Sequence, residues 1–241
     1  MRLSKVENIE DVYQVLSETK VNPYVGTHPH HIISANFPDV KDVPQSYLDI
    51  LTLIDGDGFL AGGSVRALVT KNYNATDFDV YSYTLDGRER LVKTFLDDGY
   101  VALNYNSNCV TLEKNKIQVQ VIFSFVGMIE QVLDEFDFTI CRIGTDGLVV
   151  YKDKDFDSNV ERKLIRIKTI QCPIGAVRRI IKYAKKGFFI TNFQIFKIYQ
   201  DFIKRPTTYH ADLEKLLKEQ DDGTITPDEM QELYNLLKRV D

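Results

Sequence analysis

The spacing of apolar residues changes partway along the chain. Between residues 58 and 151 they come in short runs, many of them alternating with polar positions, which predicts strands at Gly58–Ala61, Phe78–Tyr83, Val101–Tyr105, Cys109–Leu112, Ile117–Phe123, Phe138–Ile143 and Leu148–Tyr151. Between the runs, Val65–Lys71, Arg88–Asp97 and Phe125–Glu135 have the spacing of short helices. All seven prolines lie outside residues 45–172, as a sheet requires, because proline cannot donate to a strand ladder. The polar Glu113-Lys-Asn-Lys116 between two strand runs predicts a hairpin, and Asp55-Gly-Asp-Gly58 a turn feeding the Phe59 strand.

After about residue 158 the period becomes helical. Ile174, Val177, Ile180, Ile181 and Ala184 form one apolar stripe, closed by Gly187. Phe193, Phe196, Ile198, Tyr199 and Phe202 form a second, aromatic stripe, stopped before Pro206; such rings could stack bases, but their helical spacing assigns them to a core face. Leu213, Leu216 and Leu217 follow, and Thr226-Pro-Asp-Glu229 opens a last helix as a capping box. Near the N-terminus a helix is expected at Ile9–Glu18, followed by a loop rich in proline and histidine. The expectation is an α+β fold: a mixed, mainly antiparallel sheet flanked by helices, then a helical neck and tail. Residues 1–45 read as a helix-and-loop extension, 46–157 as the head and 158–241 as neck and tail.

Composition bears on this picture in two places. Three well-separated cysteines, Cys109, Cys141 and Cys172, give neither a disulfide framework nor a zinc spacing, and no run approaches the length of a membrane span. A reducing, cytoplasmic setting without membrane attachment is the resulting expectation. The net charge of -5 conceals a basic segment: Arg162 to Arg205 holds twelve Lys or Arg and one acid, Asp201. Such a segment on an acidic protein fits a polyanionic partner, RNA above all, with Arg178, Arg179, Lys182, Lys185 and Lys186 as the contacts. A solvated helix face is the plainer alternative.

The chemistry is concentrated in Phe59-Leu-Ala-Gly-Gly-Ser-Val-Arg66 and Asp77-Phe-Asp-Val-Tyr81. A strand running into paired glycines and a serine, then a short helix, can cradle phosphates with its backbone N–H groups. Asp77 and Asp79, two apart on a strand, project to one side, where together they can hold Mg²⁺ or Mn²⁺ against those phosphates. Each half alone is common, as an ordinary turn or a solvated strand face. Their order and spacing together are specific.

On these residues the chain resembles the head of the nucleotidyltransferase superfamily, in particular bacterial-type CCA-adding enzymes and poly(A) polymerases. Asp137-Phe-Thr-Ile140, Gly147-Leu-Val-Val150 and Pro173 through Phe188 extend the likeness to roughly residues 55–190. The resemblance implies NTP as substrate, Asp77 and Asp79 as catalytic metal ligands, and Gly62, Gly63, Ser64 and Arg66 at the phosphates. Asp137 would approach the sugar.

The departures from the family pattern are specific too. The acid expected after Val-Arg is Ala67, and the base-reading positions of the neck are Gln171, Cys172 and Gly175, which cannot reproduce the family's Asp/Arg readout. Transfer that is not CCA-specific is therefore expected, with loose choice among nucleotides. The strand expected to carry a third acid offers Gln118 and Gln120, and an amide is neither a base nor an anionic metal ligand. Three readings stay open: transfer to an RNA 3′ end, transfer to a protein or small molecule, and a non-catalytic nucleotide- or RNA-binding protein on the same fold. Two further patterns are read as structural: His28-Pro-His-His31 as a surface loop, and Asp222-Gly223 to Glu229 as a turn into a helix without calcium.

Overall fold

The structure is a computed structural model and describes residues 4–21, 29–73, 75, 77–171 and 173–204. The chain divides into two compact units: Arg2–Glu135 with Cys141–Phe156, and Phe136–Ile140 with Asp157–Asp241. The expected features beyond residue 204, including the Thr226 capping box, lie outside the described residues.

Among its described residues the first unit is a nine-stranded sheet with helices. In chain order its elements are β1 (Ser4–Lys5), α1 (Ile9–Glu18), β2 (Ile32–Asn36), a 3₁₀ turn (Val40–Asp42), α2 (Gln45–Leu53), β3 (Gly58–Ala61), α3 (Gly63–Val69), β4 (Asp77–Ser82), α4 (Leu85–Asp97), β5 (Val101–Tyr105), β6 (Cys109–Lys114), β7 (Ile117–Val126), α5 (Ile129–Asp134), β8 (Ile143–Thr145) and β9 (Val149–Asp153). The strand order is β1-β5-β6-β7-β4-β3-β8-β9-β2. Among these strands β4 and β7 pair in parallel and the other neighbours antiparallel, the mixed, mainly antiparallel sheet expected.

Strand alternation sets the core. Phe78 and Val80 of β4, Val119, Val121 and Phe123 of β7 and Val110 and Leu112 of β6 are fully buried, as are Leu91, Val92 and Phe95 of α4. The β6–β7 hairpin turns on Asn115 and Lys116, at φ 53° and 66°, a two-residue turn whose twist matches the strands. Its short loop fixes the register, pairing Lys114 with Ile117, Glu113 with Gln118 and Thr111 with Gln120.

Two expectations fail locally. The run Phe138–Ile143 is not one strand: Phe138 makes a single bridge to Ile167, Thr139–Cys141 is a 3₁₀ turn, and the strand occupies Ile143–Thr145. The apolar run is a crossing between units, and burial without pairing leaves the same hydrophobic signature as a strand. The helix expected at Phe125–Glu135 begins at Ile129, because β7 runs on to Val126 and Gly127, at φ 145°, makes the break. Gln131 then reaches back, its Oε1 accepting from the Met128 N–H at 3.0 Å.

The second unit contains α6 (Phe156–Glu161, entered from the first unit), β10 (Leu164–Ile165), α7 (Pro173–Ala184), β11 (Phe189–Ile190) and α8 (Asn192–Lys204), with β10 and β11 paired in parallel. Ala176, Ile180, Ile181 and Tyr183 bury one face of α7, and Gly187, at φ 81°, follows its end as expected. Within this unit the Gln194 side chain accepts from the Ile167 N–H at 2.8 Å.

Candidate active site

The register of β3 and β4 assembles the site. Ala61 faces Asp79 across the antiparallel pair, so the chain that leaves β3 at Gly62 and Gly63 runs beside the start of β4. The glycine turn and both aspartates therefore lie at one end of the sheet. Phe78 and Val80 are fully buried, while Asp77 is exposed and Asp79 half-buried, so the two carboxylates share the face away from the core.

The two glycines differ in their work. Gly62 sits at φ 79°, ψ -129°, a conformation glycine adopts readily and other residues do not, and its N–H donates to the Ile143 carbonyl at 2.8 Å. It shapes the turn, and its amide is committed within the sheet unit. Gly63 begins α3, and a methyl group built on it would meet nothing within 4 Å. Open space lies where a ligand would approach.

Ser64 is 3% exposed, and its Oγ is a buried polar atom with no hydrogen-bond partner among the described residues. Buried hydroxyls are ordinarily paired, so this one is available to a ligand oxygen beside Gly63. The Ser64 carbonyl accepts from the Tyr47 hydroxyl at 2.8 Å, and the Tyr47 ring meets Phe78 edge-on at 4.8 Å. One buried tyrosine of α2 thus braces the serine turn and the aspartate strand together, and burial pushes its phenol up to about 12. Arg66 is buried in α3 at 8% exposure.

The parallel pairing of β4 with β7 sets Asp77 beside Gln118 and Asp79 beside Gln120. The third-acid positions are amides, as expected. Across the next pair stand Glu113 and Thr111, and Gln118 Nε2 donates to Glu113 Oε2 at 2.9 Å. Glu113 is the one acid in this row besides Asp77, and the two-residue hairpin could have located it from sequence. Cys109, further along the same face, has its thiol pushed up to about 11, first by burial and then by the charge of Asp79.

Asp137 belongs to the second unit. It is 6% exposed, and its Oδ2 accepts from Arg179 Nε at 3.0 Å and from the second guanidinium nitrogen as well. Its backbone carbonyl accepts from the Lys168 N–H at 2.8 Å. Arg178, Arg179 and Lys182 lie on the exposed side of α7, with Arg179 engaged by Asp137, and Lys185 and Lys186 are exposed in the turn after it. Of the base-reading positions, Cys172 lies outside the described residues.

His31 is a packing group. Its Nε2 lies 2.8 Å from Asp134 Oδ1 and 2.7 Å from the buried Arg142 guanidinium, which itself donates to the Asp134 carboxylate and carbonyl. Among the described residues no three His, Cys, Asp or Glu side chains gather as a metal site, and no helix is long and apolar enough to cross a membrane. The Asp55–Gly58 turn is structural too: Asp57 Oδ1 accepts two bonds from Arg90, at 2.6 and 2.9 Å.

This sheet, with a strand–glycine turn–helix beside an Asp-x-Asp strand, is a nucleotidyltransferase-type fold. Solved structures sharing it include the Thermotoga maritima CCA-adding enzyme complexed with tRNA, at 18% identity and TM-score 0.52 over 70% of this chain and 45% of that one. A CCA-adding enzyme with CTP matches at 18% identity and TM-score 0.54, and one with ATP at 19% and 0.52, each over 83% of this chain and 50% of that chain. At these identities the likeness is one of fold, and the chain spans about half the length of those structures. The chain belongs to the Gabija anti-defense 2 family, whose model matches residues 33–163. No match is found among curated proteins.

Proposed function

We propose that this protein is a divalent-metal-dependent, template-independent nucleotidyltransferase that moves a nucleotidyl group from an NTP to an acceptor, an RNA 3′ end being the one its charge favours. The observation that carries the reading is the register that sets Asp77 and Asp79 beside the Gly62–Ser64 turn, where Ser64 Oγ is buried and unpartnered among the described residues.

The two carboxylates are hard oxygen donors on one face and fit Mg²⁺ or Mn²⁺ together with phosphate oxygens. When bound, the ion would neutralise charge on the departing pyrophosphate. The chain's own residues do the rest. Gly63 lets the backbone come close to the triphosphate, and the Ser64 hydroxyl donates to a phosphate oxygen in a buried setting where that bond counts for more than in water. Arg66, buried in the same helix, adds positive charge behind the phosphates. In the second unit Asp137 keeps Arg179 on Oδ2, and the Gln171 N–H donates to its Oδ1 at 3.5 Å. Gln118 and Gln120 remove no proton from the attacking hydroxyl, so a slow chemical step is expected.

The family's name supports a second reading of the acceptor. Membership of a Gabija anti-defense family favours a component of that defence as the molecule modified, and a protein acceptor would be the form it takes. Incubation with each labelled NTP, Mg²⁺ or Mn²⁺, total RNA and a cell extract separates the two. Label in RNA supports the first reading and label in a protein band the second. No transfer with any NTP and either metal, alongside measurable NTP binding, would leave a nucleotide-binding scaffold.

A further inference from the structure

α8 is apolar on two sides. Gln194 and Ile198 are buried, yet Phe193 is 65% exposed, Phe196 50%, Tyr199 58% and Ile203 55%. Steps of three, three and four residues place these four on one ridge. The sequence pattern assigns the aromatics to a core face, whereas among the described residues the core side of α8 is the other one. An exposed ridge of this size on a helix that already has a buried face is a mark of an interaction surface.

Its surroundings are cationic. Lys197 Nζ stands 5.4 Å from the Phe193 ring centroid, and the Phe196 and Tyr199 rings lie 6.3 Å apart at 33°. Beside the ridge, Lys168, Lys197 and Lys204 line a shallow hollow. In the same unit α7 exposes Arg178 and Lys182, and the turn after it Lys185 and Lys186. Flat rings with π-faces for any base, set among cations for the phosphates, are the parts from which sequence-tolerant single-strand sites are made. A protein ligand would use the apolar ridge and leave the cations without a role.

We propose that the α8 ridge of Phe193, Phe196 and Tyr199 is a stacking platform for unpaired bases of a single-stranded nucleic acid, whose phosphates meet the lysines of α7 and α8. The proposal deepens the reading of the acceptor as RNA and rests on it. A duplex, with its bases stacked internally, has no rings to offer and meets the lysines alone.

The test uses the full chain and a short fluorescent RNA of mixed sequence, single-stranded or annealed to its complement, with affinity measured over a range of salt. Phe193→Ala/Phe196→Ala/Tyr199→Ala should lose at least about tenfold in single-strand affinity, since each stacked base contributes on the order of 5- to 150-fold. Duplex affinity and the salt slope should hold. Lys182→Gln/Lys185→Gln/Lys186→Gln should instead flatten the slope, by about 0.7 per lost contact on single strands. Phe193→Leu/Phe196→Leu/Tyr199→Leu keeps the apolar surface and removes the rings, so it should bind single strands as poorly as the alanine variant if stacking is the mechanism.

Wild-type affinity in the alanine variant would overturn the proposal. So would full retention by the leucine variant, or self-association of the chain that the alanine variant abolishes without change in RNA affinity. Asp77→Ala/Asp79→Ala, assayed in parallel, should bind RNA normally and transfer nothing. RNA labelling by the wild type with an unaffected ridge variant would sink the platform alone. Ridge-dependent binding without any transfer would sink the catalytic reading alone.

Discussion

Replacing each of the two glycines with alanine should separate shape from access. At Gly63 an added methyl meets no atom within 4 Å, and the backbone is helical. Gly63→Ala should then raise stability by about 0.4–1 kcal/mol, chiefly by restricting the unfolded chain. For a chain of this length that is roughly 1–4 °C in Tm. The same methyl occupies the space through which a phosphate would reach the backbone, so kcat/KM for the NTP should fall by on the order of a hundredfold, the effect of a small misplacement at a reacting group. Gly62→Ala should act the other way round on stability. At φ 79° and ψ -129° an alanine is strained by about 1–3 kcal/mol, a Tm loss of roughly 2–12 °C, and activity should fall with the fold. Differential scanning fluorimetry and initial rates on the same preparations decide the matter. A Gly63→Ala protein that is more stable and fully active would refute the cradle, because the open space before Gly63 would then hold nothing.

Gln120→Asp, which sets a third carboxylate beside Asp79, should raise the transfer rate about tenfold or more at saturating Mg²⁺ while lowering the melting temperature in EDTA; an unchanged rate would mean that proton removal does not limit transfer. Arg179→Gln should cost about 1–3 kcal/mol by urea denaturation, since it leaves the Asp137 carboxylate buried beside a weaker partner, whereas Lys182→Gln on the same helix should cost nearly nothing. Cys109 should resist iodoacetamide at pH 8 in the folded chain and react after denaturation: its thiol, held up at about 11, gives a thiolate fraction on the order of a hundredfold below that of an ordinary cysteine. Rapid native labelling of Cys109, located by mass spectrometry, would contradict the burial that the sheet imposes there.

Much of this fold is legible in the sequence where a local rule has a local cause. Glycine, short helix and Asp-x-Asp come in an order that strand pairing turns directly into proximity, so the closeness of the Gly62–Ser64 turn to Asp77 and Asp79 is legible without coordinates. Three features were not, for separate reasons. β2, a five-residue strand within the proline- and histidine-rich segment, pairs with β9 over a hundred residues away, and nothing local announces a partner so remote. Tyr47 reads as one aromatic in an unassigned stretch until α2 carries it under Ser64. The aromatics of α8 have the period of a core face, and period alone does not say which of two apolar sides a helix buries. The pairing of Gln118 with Glu113 belongs to a fourth class: the two-residue hairpin determines it, so the sequence alone implies it.

The central claim is that Asp77 and Asp79 hold the metal for nucleotidyl transfer, and one comparison tests it most directly: wild type against Asp77→Ala/Asp79→Ala, each with labelled NTPs, Mg²⁺ or Mn²⁺, RNA and cell extract, with melting followed in EDTA. Both side chains lie on the face away from the core, so their removal relieves like-charge repulsion, and the melting temperature should hold or rise slightly. The account predicts transfer by the wild type and none by the double variant, with RNA affinity unchanged. Transfer at the wild-type rate by a folded double variant would contradict it.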